Sequence, residues 1–211
     1  MIDFHSHILP EMDDGSKDAK MSLAMLQMER EQGVTEVVFT PHFYAQQAGV
    51  ELLPYHLGAE VYYFRNIGNA DMLQELCIGD SGTLLLEMPF CQREKDVYVD
   101  VANLVRRQGI RVVLAHIERY YKLQKDKSVW NEIMDLPLEC QMNAGPFQDW
   151  KRRRMCIGLL KQHEAMLLGS DAHNLTGRCP NLKATCELLE AKVGAGYTAR
   201  VDDLAWELLR R

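Results

Sequence analysis

The sequence predicts an α/β protein whose parallel strands close into a (β/α) barrel, within one domain that spans residues 1–211. Short aliphatic or β-branched runs alternate with amphipathic stretches along the chain, which is the pattern of repeated strand–helix units. The predicted strands are nearly continuous in apolar character, as expected for a parallel sheet covered by helices. A chain of 211 residues is long enough for one such core.

Seven strands are predicted between Ile2 and Gly169. They are Ile2–His5, Glu36–Thr40, Leu57–Tyr62, Thr83–Glu87, Arg111–Ala115, Glu139–Met142 and Met166–Gly169. In a (β/α) barrel the active site lies at the carboxyl ends of the strands. The residues that directly follow each apolar run are therefore the candidates for function.

The predicted helices follow from apolar spacing and from residues that favour helix ends. Ser16 or Asp18 is a candidate N-cap for a first helix that continues to about Gln32, before Gly33. Apolar positions at helical spacing predict two further helices, over residues 97–108 and 182–193. The glycine-rich stretch Gly194–Ala199 is predicted to be a loop.

Charge argues against nucleic acid as a partner. The chain carries 24 basic and 30 acidic residues, a formal net charge of -6, so it has no general attraction for a phosphate backbone. A single basic run, Lys151–Arg154, is predicted to be the solvated start of a helix.

Apolar runs and cysteines point to the cytoplasm. No apolar run approaches the ~20 residues that a membrane span requires, so no membrane insertion is expected. No secretory leader is recognised before Ile2. The six cysteines show no CxxC spacing and are expected to stay reduced.

Histidines and carboxylates recur at the predicted strand ends. Five of the seven histidines lie there, and the full set is His5, His7, His42, Glu60, Glu87, His116, Asp171 and His173. Residues two apart on an extended strand share a face, so His5 and His7 can bind one ion. Carboxylates gathered at a barrel mouth repel one another unless cations neutralise them. Imidazole and carboxylate are ligands of zinc, manganese and iron, so the pattern predicts a metal site.

The motifs MIDFHSHILPEMDDG, TPH, GAEVYY, LLLEMP, AHIERY and GSDAHN, the last followed by Arg178, extend over the chain from Ile2 to about Leu189. In these motifs the sequence resembles the PHP (polymerase and histidinol phosphatase) superfamily. The match is nearest to its bacterial metal-dependent tyrosine-protein phosphatases, which are linked to capsular and exopolysaccharide synthesis. The resemblance implies a distorted (β/α)7 TIM-like barrel that holds three divalent ions, commonly manganese, with iron or zinc as alternatives.

The resemblance also implies a role for each motif residue. The first ion would be held by His5, His7, Glu60 and Asp171; the second, bridged by Glu60, by Glu87 and His116; and the third by Asp14, His42 and His173. Arg119 and Arg178 would bind phosphate through their planar guanidinium groups. Asn143 is either a pocket residue or a turn residue, and Asp13 is expected to be a turn residue before Gly15.

The implied function is hydrolysis of phosphomonoesters by a metal-activated hydroxide. The expected substrate is a phosphotyrosine protein, such as the tail of a bacterial tyrosine kinase, or a small phosphate ester. A cysteine-dependent tyrosine phosphatase is excluded, since none of the six cysteines has an arginine six positions later.

Other functions stay open at this point. Histidinol-phosphate phosphatases, or other small-molecule phosphatases of the same superfamily, would share almost all the ligands, and a metal-binding but inactive regulatory module is the alternative of another class. Metal-dependent amidohydrolases also begin with HxH but bridge their metals through a strand-four lysine, where this chain has Glu87. The sequence predicts no oligomeric state. The connection over residues 43–56 is short for a helical crossover, so it is either naturally trimmed or lacks a segment.

Overall fold

The computed structural model describes residues 1–42, 54–163 and 165–210. Within them lie eight strands: β1 (Ile2–Ser6), β2 (Glu36–Phe39), β3 (Tyr55–Leu57), β4 (Glu60–Tyr62), β5 (Thr83–Glu87), β6 (Arg111–Leu114), β7 (Glu139–Asn143) and β8 (Leu167–Gly169). The same ranges contain seven α-helices: α1 (Ala19–Glu31), α2 (Lys95–Arg106), α3 (Ser128–Met134), α4 (Gly145–Gln148), α5 (Trp150–Leu160), α6 (Leu182–Lys192) and α7 (Tyr197–Leu209). The question of the short connection falls mainly on residues 43–53, which lie outside the described residues.

All strand pairings are parallel, and they form two sheets. One sheet has the order β1-β2-β3, and the other runs in chain order from β4 to β8. The mixed α/β class with parallel strands is therefore confirmed, whereas a closed barrel is not. The predicted strand Leu57–Tyr62 is two strands, β3 and β4, because the strand conformation is interrupted at Gly58 and Ala59. A Cβ on Gly58 would lie 2.7 Å from Ile78 Cγ1, so the chain passes too closely there for any other residue.

One face of the strands carries a small apolar core of its own. It includes Phe4, Leu85, Val113 and Leu167, and it is separate from the larger core between the strands and the covering helices. The last helix, α7, contributes Ala205, Leu208 and Leu209 to this small core. The predicted loop over Gly194–Ala199 is therefore wrong in part, because Gly196, with φ of 78°, directly precedes the first residue of α7.

Strand β1 contains one extra residue relative to β2. Asp3 pairs with Val37 whereas Ser6 pairs with Phe39, so three steps along β1 match two along β2. An irregularity of this kind reverses the alternation of side chains beyond it. Phe4 thus lies in the small apolar core, and His5 and His7 come to the same interior side further along the strand.

The predicted boundaries of α1 and α2 are confirmed to within a few residues. Asp18 is the N-cap of α1, and its Oδ1 accepts a hydrogen bond from the backbone N of Met21 at 2.7 Å. Gly109 has a φ of 67° shortly after α2, a conformation that favours glycine. None of the helices in the described ranges is long and apolar enough to cross a membrane.

Two carboxyl groups lie buried against each other between β1 and α1. Asp3 and Glu29 are both fully inaccessible, and Asp3 Oδ1 accepts hydrogen bonds from the backbone N of His5 and of Ser170. Burial raises the pKa of Glu29 well above its ordinary value, and the negative charge of Asp3 raises it further. Burial likewise raises the pKa of Asp3. Burial and the closeness of the two groups therefore both favour a protonated form of the pair.

We expect Glu29→Gln to weaken the pH dependence of stability. Unfolded Glu29 ionises above its ordinary pKa of 4.5, whereas the folded group keeps its proton to a higher pH. The wild type therefore loses up to ~1.4 kcal/mol of unfolding free energy per pH unit as the pH rises above that value. Glutamine does not titrate, so the variant gains stability relative to wild type between pH 5 and pH 8. Urea unfolding across this range measures the difference, and Glu31→Gln, an exposed neighbour on α1, is the control that should show no trend.

Candidate metal centre

All nine side chains predicted as ligands lie together in one cluster. Six follow or end a strand, His5 is the next-to-last residue of β1, Glu60 is the first residue of β4, and Asp14 reaches the group from the loop after β1. Seven are buried, while Asp14 and His42 form the open side with exposed side-chain fractions of 68% and 32%. The cluster divides into four groups of mutually close ligand atoms: His7 with Asp14, His42 and His173; His5 with His7 and Asp171; His5 with Glu60 and His116; and His42 with Glu60 and Glu87.

Glu60 is at the centre of the cluster. Its Oε1 lies 2.8 Å from His116 Nε2 and 3.6 Å from His5 Nε2. Its Oε2 lies 3.3 Å from His7 Nε2 and 3.6 Å from His42 Nδ1. A carboxylate with imidazole nitrogens on both oxygens has the geometry that a bridge between two ions requires, which is the role that the resemblance implies for it.

Asp171 joins the cluster to the two predicted arginines. Its Oδ1 lies 3.4 Å from His5 Nε2 and accepts a hydrogen bond from Arg178 Nη2 at 2.5 Å. Its Oδ2 accepts hydrogen bonds from Arg119 Nη2 and, at 2.6 Å, from Asn143 Nδ2. Burial alone would raise the pKa of Asp171, but the close approach of His5 and the positive charges of the two arginines lower it below the usual range.

The third predicted group is more open than the other two. His173 Nε2 lies 3.4 Å from Asp14 Oδ1, and His42 Nε2 lies 3.9 Å from the same oxygen. The ring of His7 packs 3.9 Å from that of His173 and 4.9 Å from that of His42, measured between centroids. His7 thus belongs both to this group and to the group of His5 and Asp171. The resemblance places His7 only with His5, Glu60 and Asp171.

The donor set fits divalent cations. His5 Nε2 and His7 Nε2 are buried nitrogens to which no described residue offers a hydrogen bond, although both are directed at carboxylates of the cluster. Buried polar atoms without partners are rare in folded proteins. Nitrogen and oxygen donors without cysteine suit manganese, iron or zinc, so these orphaned nitrogens are the expected ligand atoms.

The carboxylates also repel one another in this arrangement. Burial, and after it the negative charge of Glu60, raise the pKa of Glu87 to about 7. Burial lowers the pKa of His116, even though Glu60 favours its charged form. A cation between these groups would neutralise the carboxylates, and the neutral form of His116 that burial favours is the form that can bind it.

Three side chains that the motifs did not assign to the site orient its histidines. Asp13 Oδ2 accepts a hydrogen bond from His7 Nδ1 at 2.6 Å, Thr40 Oγ1 lies 2.7 Å from His5 Nδ1, and Gln141 Oε1 accepts from the backbone N of His116 at 2.7 Å. Asp13 Oδ1 also accepts from the backbone N of Gly15 at 2.8 Å, so the predicted turn role is only part of its function. Histidines that bind a metal commonly donate their other ring N–H to a carboxylate. In the sequence, only the acidic pair Asp13–Asp14 before Gly15 indicated that such a carboxylate is present.

We expect Asp13→Ala to lower metal affinity by about 10- to 100-fold, because His7 loses the hydrogen bond that fixes its ring and tautomer. The affinity can be measured by competition with a chelating dye. Asp13→Asn keeps an acceptor for His7 Nδ1 and should recover part of the loss, while the exposed Asp71→Ala is the control. Equal affinity in Asp13→Ala and wild type would contradict an orienting role.

Two candidate ligands have strained backbones. His116 has a φ of 30° and Asp171 a φ of 53°, both in the left-handed region that residues other than glycine seldom adopt. The backbone N of Asp171 donates to the carbonyl O of His5 at 2.8 Å, which holds this conformation. Such strain persists where surrounding contacts enforce it, and it is concentrated at functional sites.

A cavity of about 740 Å³ opens beside Asp171. Arg119, Arg178 and Asn143 line it next to the cluster, so the structure brings both predicted arginines and the sixth-strand asparagine to the same space. Phe90 forms another wall; its ring is nearly parallel to that of His116, with 12° between the planes and 6.1 Å between the centroids.

The fold and the cluster together define the class of this protein: it is an α/β protein with parallel strands and a candidate metal centre of histidines and carboxylates. The model of the family described as capsular polysaccharide synthesis, CpsB/CapC, matches residues 1–52 and 44–204. The chain belongs to this family, which confirms the resemblance found in the motifs. The two matched segments overlap over residues 44–52, in the connection after His42.

Known relatives span nearly the whole chain. The tyrosine-protein phosphatase CpsB of Streptococcus pneumoniae is 27% identical and covers 92% of each chain. The tyrosine-protein phosphatase YwqE of Bacillus subtilis strain 168 is 26% identical over 100% of this chain and 92% of its own. A solved structure described as one of the metal-dependent tyrosine phosphatases YwqE and CpsB superposes with a TM-score of 0.85 at 23% identity, over 99% of this chain and 94% of that one.

Proposed function

We propose that this chain is a metal-dependent tyrosine-protein phosphatase. The observation that carries the proposal is the cluster of nine candidate ligands, which opens through Asp171 onto a cavity lined by two arginines. Membership of the CpsB/CapC family and the phosphatase names of the curated relatives support the same activity.

Each part of the site has a task in phosphate ester hydrolysis. The nine residues of the cluster would hold divalent ions, which supply a hydroxide nucleophile at neutral pH and neutralise phosphate charge. Arg119 and Arg178 bind the phosphate oxygens through guanidinium N–H groups that are not engaged with Asp171. Asn143 fixes the orientation of Asp171 and donates from the same wall of the cavity.

Phe90 favours an aromatic leaving group. Its side chain is about half exposed, one ring face lies toward His116, and the residue lines the cavity beside Arg119. A tyrosine ring that enters with its phosphate at the cluster can stack on Phe90. Aromatic pairs contribute about 0.5–1.5 kcal/mol beyond burial, which corresponds to roughly a two- to tenfold preference.

The finer parts of the proposal extend this core. The two sheets act as one distorted (β/α)7 barrel of the PHP type over a single domain, residues 1–211. In support, isolated parallel bridges join Ser6 to Ala172 and His42 to Glu60, where the two sheets adjoin. The site holds three ions, with manganese favoured over iron and zinc. The substrate is a phosphotyrosine protein, such as a bacterial tyrosine kinase tail, and the activity serves capsular polysaccharide synthesis in the cytoplasm.

Substrate comparison on metal-reloaded protein tests the proposal. The chain is stripped with chelator, reloaded with Mn²⁺, and assayed on p-nitrophenyl phosphate, a phosphotyrosine peptide, histidinol phosphate and glycerol 2-phosphate. We expect manganese-dependent turnover of the two aryl esters, with Asp171→Ala inactive and the exposed Asp203→Ala as active as wild type. Preference for histidinol phosphate would replace the protein-phosphatase assignment by the small-molecule one. Failure to turn over any ester above the Asp171→Ala level would leave a metal-binding module without enzymatic activity.

A further inference from the structure

The cavity extends well beyond the space that one phosphate group fills. Asp171, Arg119 and Arg178 line it beside the cluster, and α4 and α5 contribute Gln148 and Arg152 to its lining. A volume of about 740 Å³ leaves room for a peptide segment beside the phosphotyrosine ring. The chemistry of these additional lining residues therefore bears on which phosphoproteins the site accepts.

Two further cations line this cavity. Lys122 comes from the short 3₁₀ helix Tyr121–Leu123, and Arg152 comes from α5. Arg152 belongs to the basic run Lys151–Arg154, which is predicted to be the solvated start of a helix. Lys151, Arg152 and Arg154 are all exposed, and of these three only Arg152, with 54% of its side chain exposed, lines the cavity; Arg153 Nε donates to the carbonyl O of Phe147 at 2.7 Å.

Lys122 and the Nη atoms of Arg152 have no carboxylate partner among the residues that line the cavity. Of the lining carboxylates, Asp171 is already bonded to Arg119 and Arg178, and Glu118 is 5% exposed. Arg152 is paired through one atom only: Asp149 Oδ2, which is not among the lining residues, accepts from its Nε at 2.9 Å, and no described residue accepts from its Nη atoms. Lys122 has no carboxylate within ion-pair distance in the described part of the chain. In a protein with a net charge of -6, this local excess indicates a binding role.

We propose that Lys122 and Arg152 form a second anion subsite, which binds an acidic group of the substrate peptide next to the phosphotyrosine. The inference rests on the proposed phosphatase function and narrows its substrate class to anionic phosphopeptides. A carboxylate of aspartate or glutamate and the phosphate of a second phosphotyrosine have the required chemistry in common. Both groups accept hydrogen bonds from guanidinium and ammonium donors.

The subsite is tested with Lys122→Gln/Arg152→Gln on manganese-loaded protein. Three phosphotyrosine peptides are compared, with neutral flanking residues, with glutamates on both sides, and with a second phosphotyrosine three residues away; p-nitrophenyl phosphate reports the phosphate-binding end. We expect KM for each anionic peptide to rise about three- to tenfold more than KM for the neutral peptide, and kcat to change much less. Added salt should reduce the preference of the wild type for anionic over neutral peptides, and it should not change the KM ratio of these peptides in the variant. Arg154→Gln, on the same helix but outside the cavity, is the control expected to match wild type.

Direct binding separates failure of the subsite from failure of the phosphatase function. Fluorescence anisotropy with non-hydrolysable phosphonate versions of the three peptides gives Kd values that require no turnover. Weaker binding of only the anionic peptides to the double variant supports the subsite, whether or not the wild type hydrolyses any ester. If the Kd of the double variant rises only for the doubly phosphorylated peptide, the anion is a phosphate. If the Kd also rises for the glutamate peptide, the subsite binds a carboxylate. Equal changes for all three peptides, or none, would overturn the proposal.

Discussion

Glu60→Gln should remove the metal from the site and reduce phosphatase activity to background. Glu60 lies within 3.6 Å of four imidazole nitrogens, so it contacts four of the five histidines of the cluster. Glutamine keeps the size of the side chain and loses its charge, which makes a bridge between two ions unfavourable. Since loss of a residue that merely supports a ligand costs 10- to 100-fold, we expect metal affinity to fall by more than ~100-fold.

Metal content after dialysis and activity on p-nitrophenyl phosphate measure this effect. Glu139→Gln is the matched control, because Glu139 is a carboxylate at the amino end of β7 and lies outside the cluster. The control should retain both metal and activity. Full metal occupancy in Glu60→Gln would refute the central role assigned to this carboxylate.

Gly169→Ala should destabilise the fold and impair the site together. A Cβ at position 169 would lie 2.5 Å from His5 Cβ and 2.8 Å from Gln141 Nε2, distances that real Cβ atoms essentially never show. Because His5 Cβ is tied to the backbone of β1, the strands themselves must move apart. Overpacking of this kind costs about 1–3 kcal/mol, and the movement displaces His5 from Glu60 and Asp171.

Thermal unfolding with and without Mn²⁺ reports both effects of this substitution. We expect the variant to lose stability without metal and to gain less from added Mn²⁺ than the wild type does. Gly158→Ala is the control, since Gly158 lies within α5 and a Cβ there would meet no atom of another segment within 4 Å. That substitution should leave the metal response intact and add up to about 1 kcal/mol of helix stability. A Gly169→Ala protein as stable as wild type would show that β1 and β8 have more freedom than their contacts indicate.

The sequence by itself determined the alternation of strands and helices and the residues of the candidate site. Apolar runs located the strands to within one or two residues at most ends, because buried parallel strands have a strong compositional signal. Polar residues at the ends of those runs stand out for the same reason. The nine candidate ligands were therefore readable as a set, and the structure brings all nine together, although their role as ligands remains a prediction.

Only the tertiary structure decided how these residues are presented. The extra residue in β1 brings His5 to the same side as Phe4, against strict alternation, and it arises from pairing with β2. The break at Gly58, where the chain passes against Ile78, splits a predicted strand in two, and the orienting contact of Asp13 with His7 depends on the fold of a loop. Helix α7 begins directly after Gly196, in a stretch that the sequence predicts to be a loop. Its apolar face is explained only by the small apolar core of the strands, against which it packs. Such features depend on contacts between distant segments, which local composition does not encode.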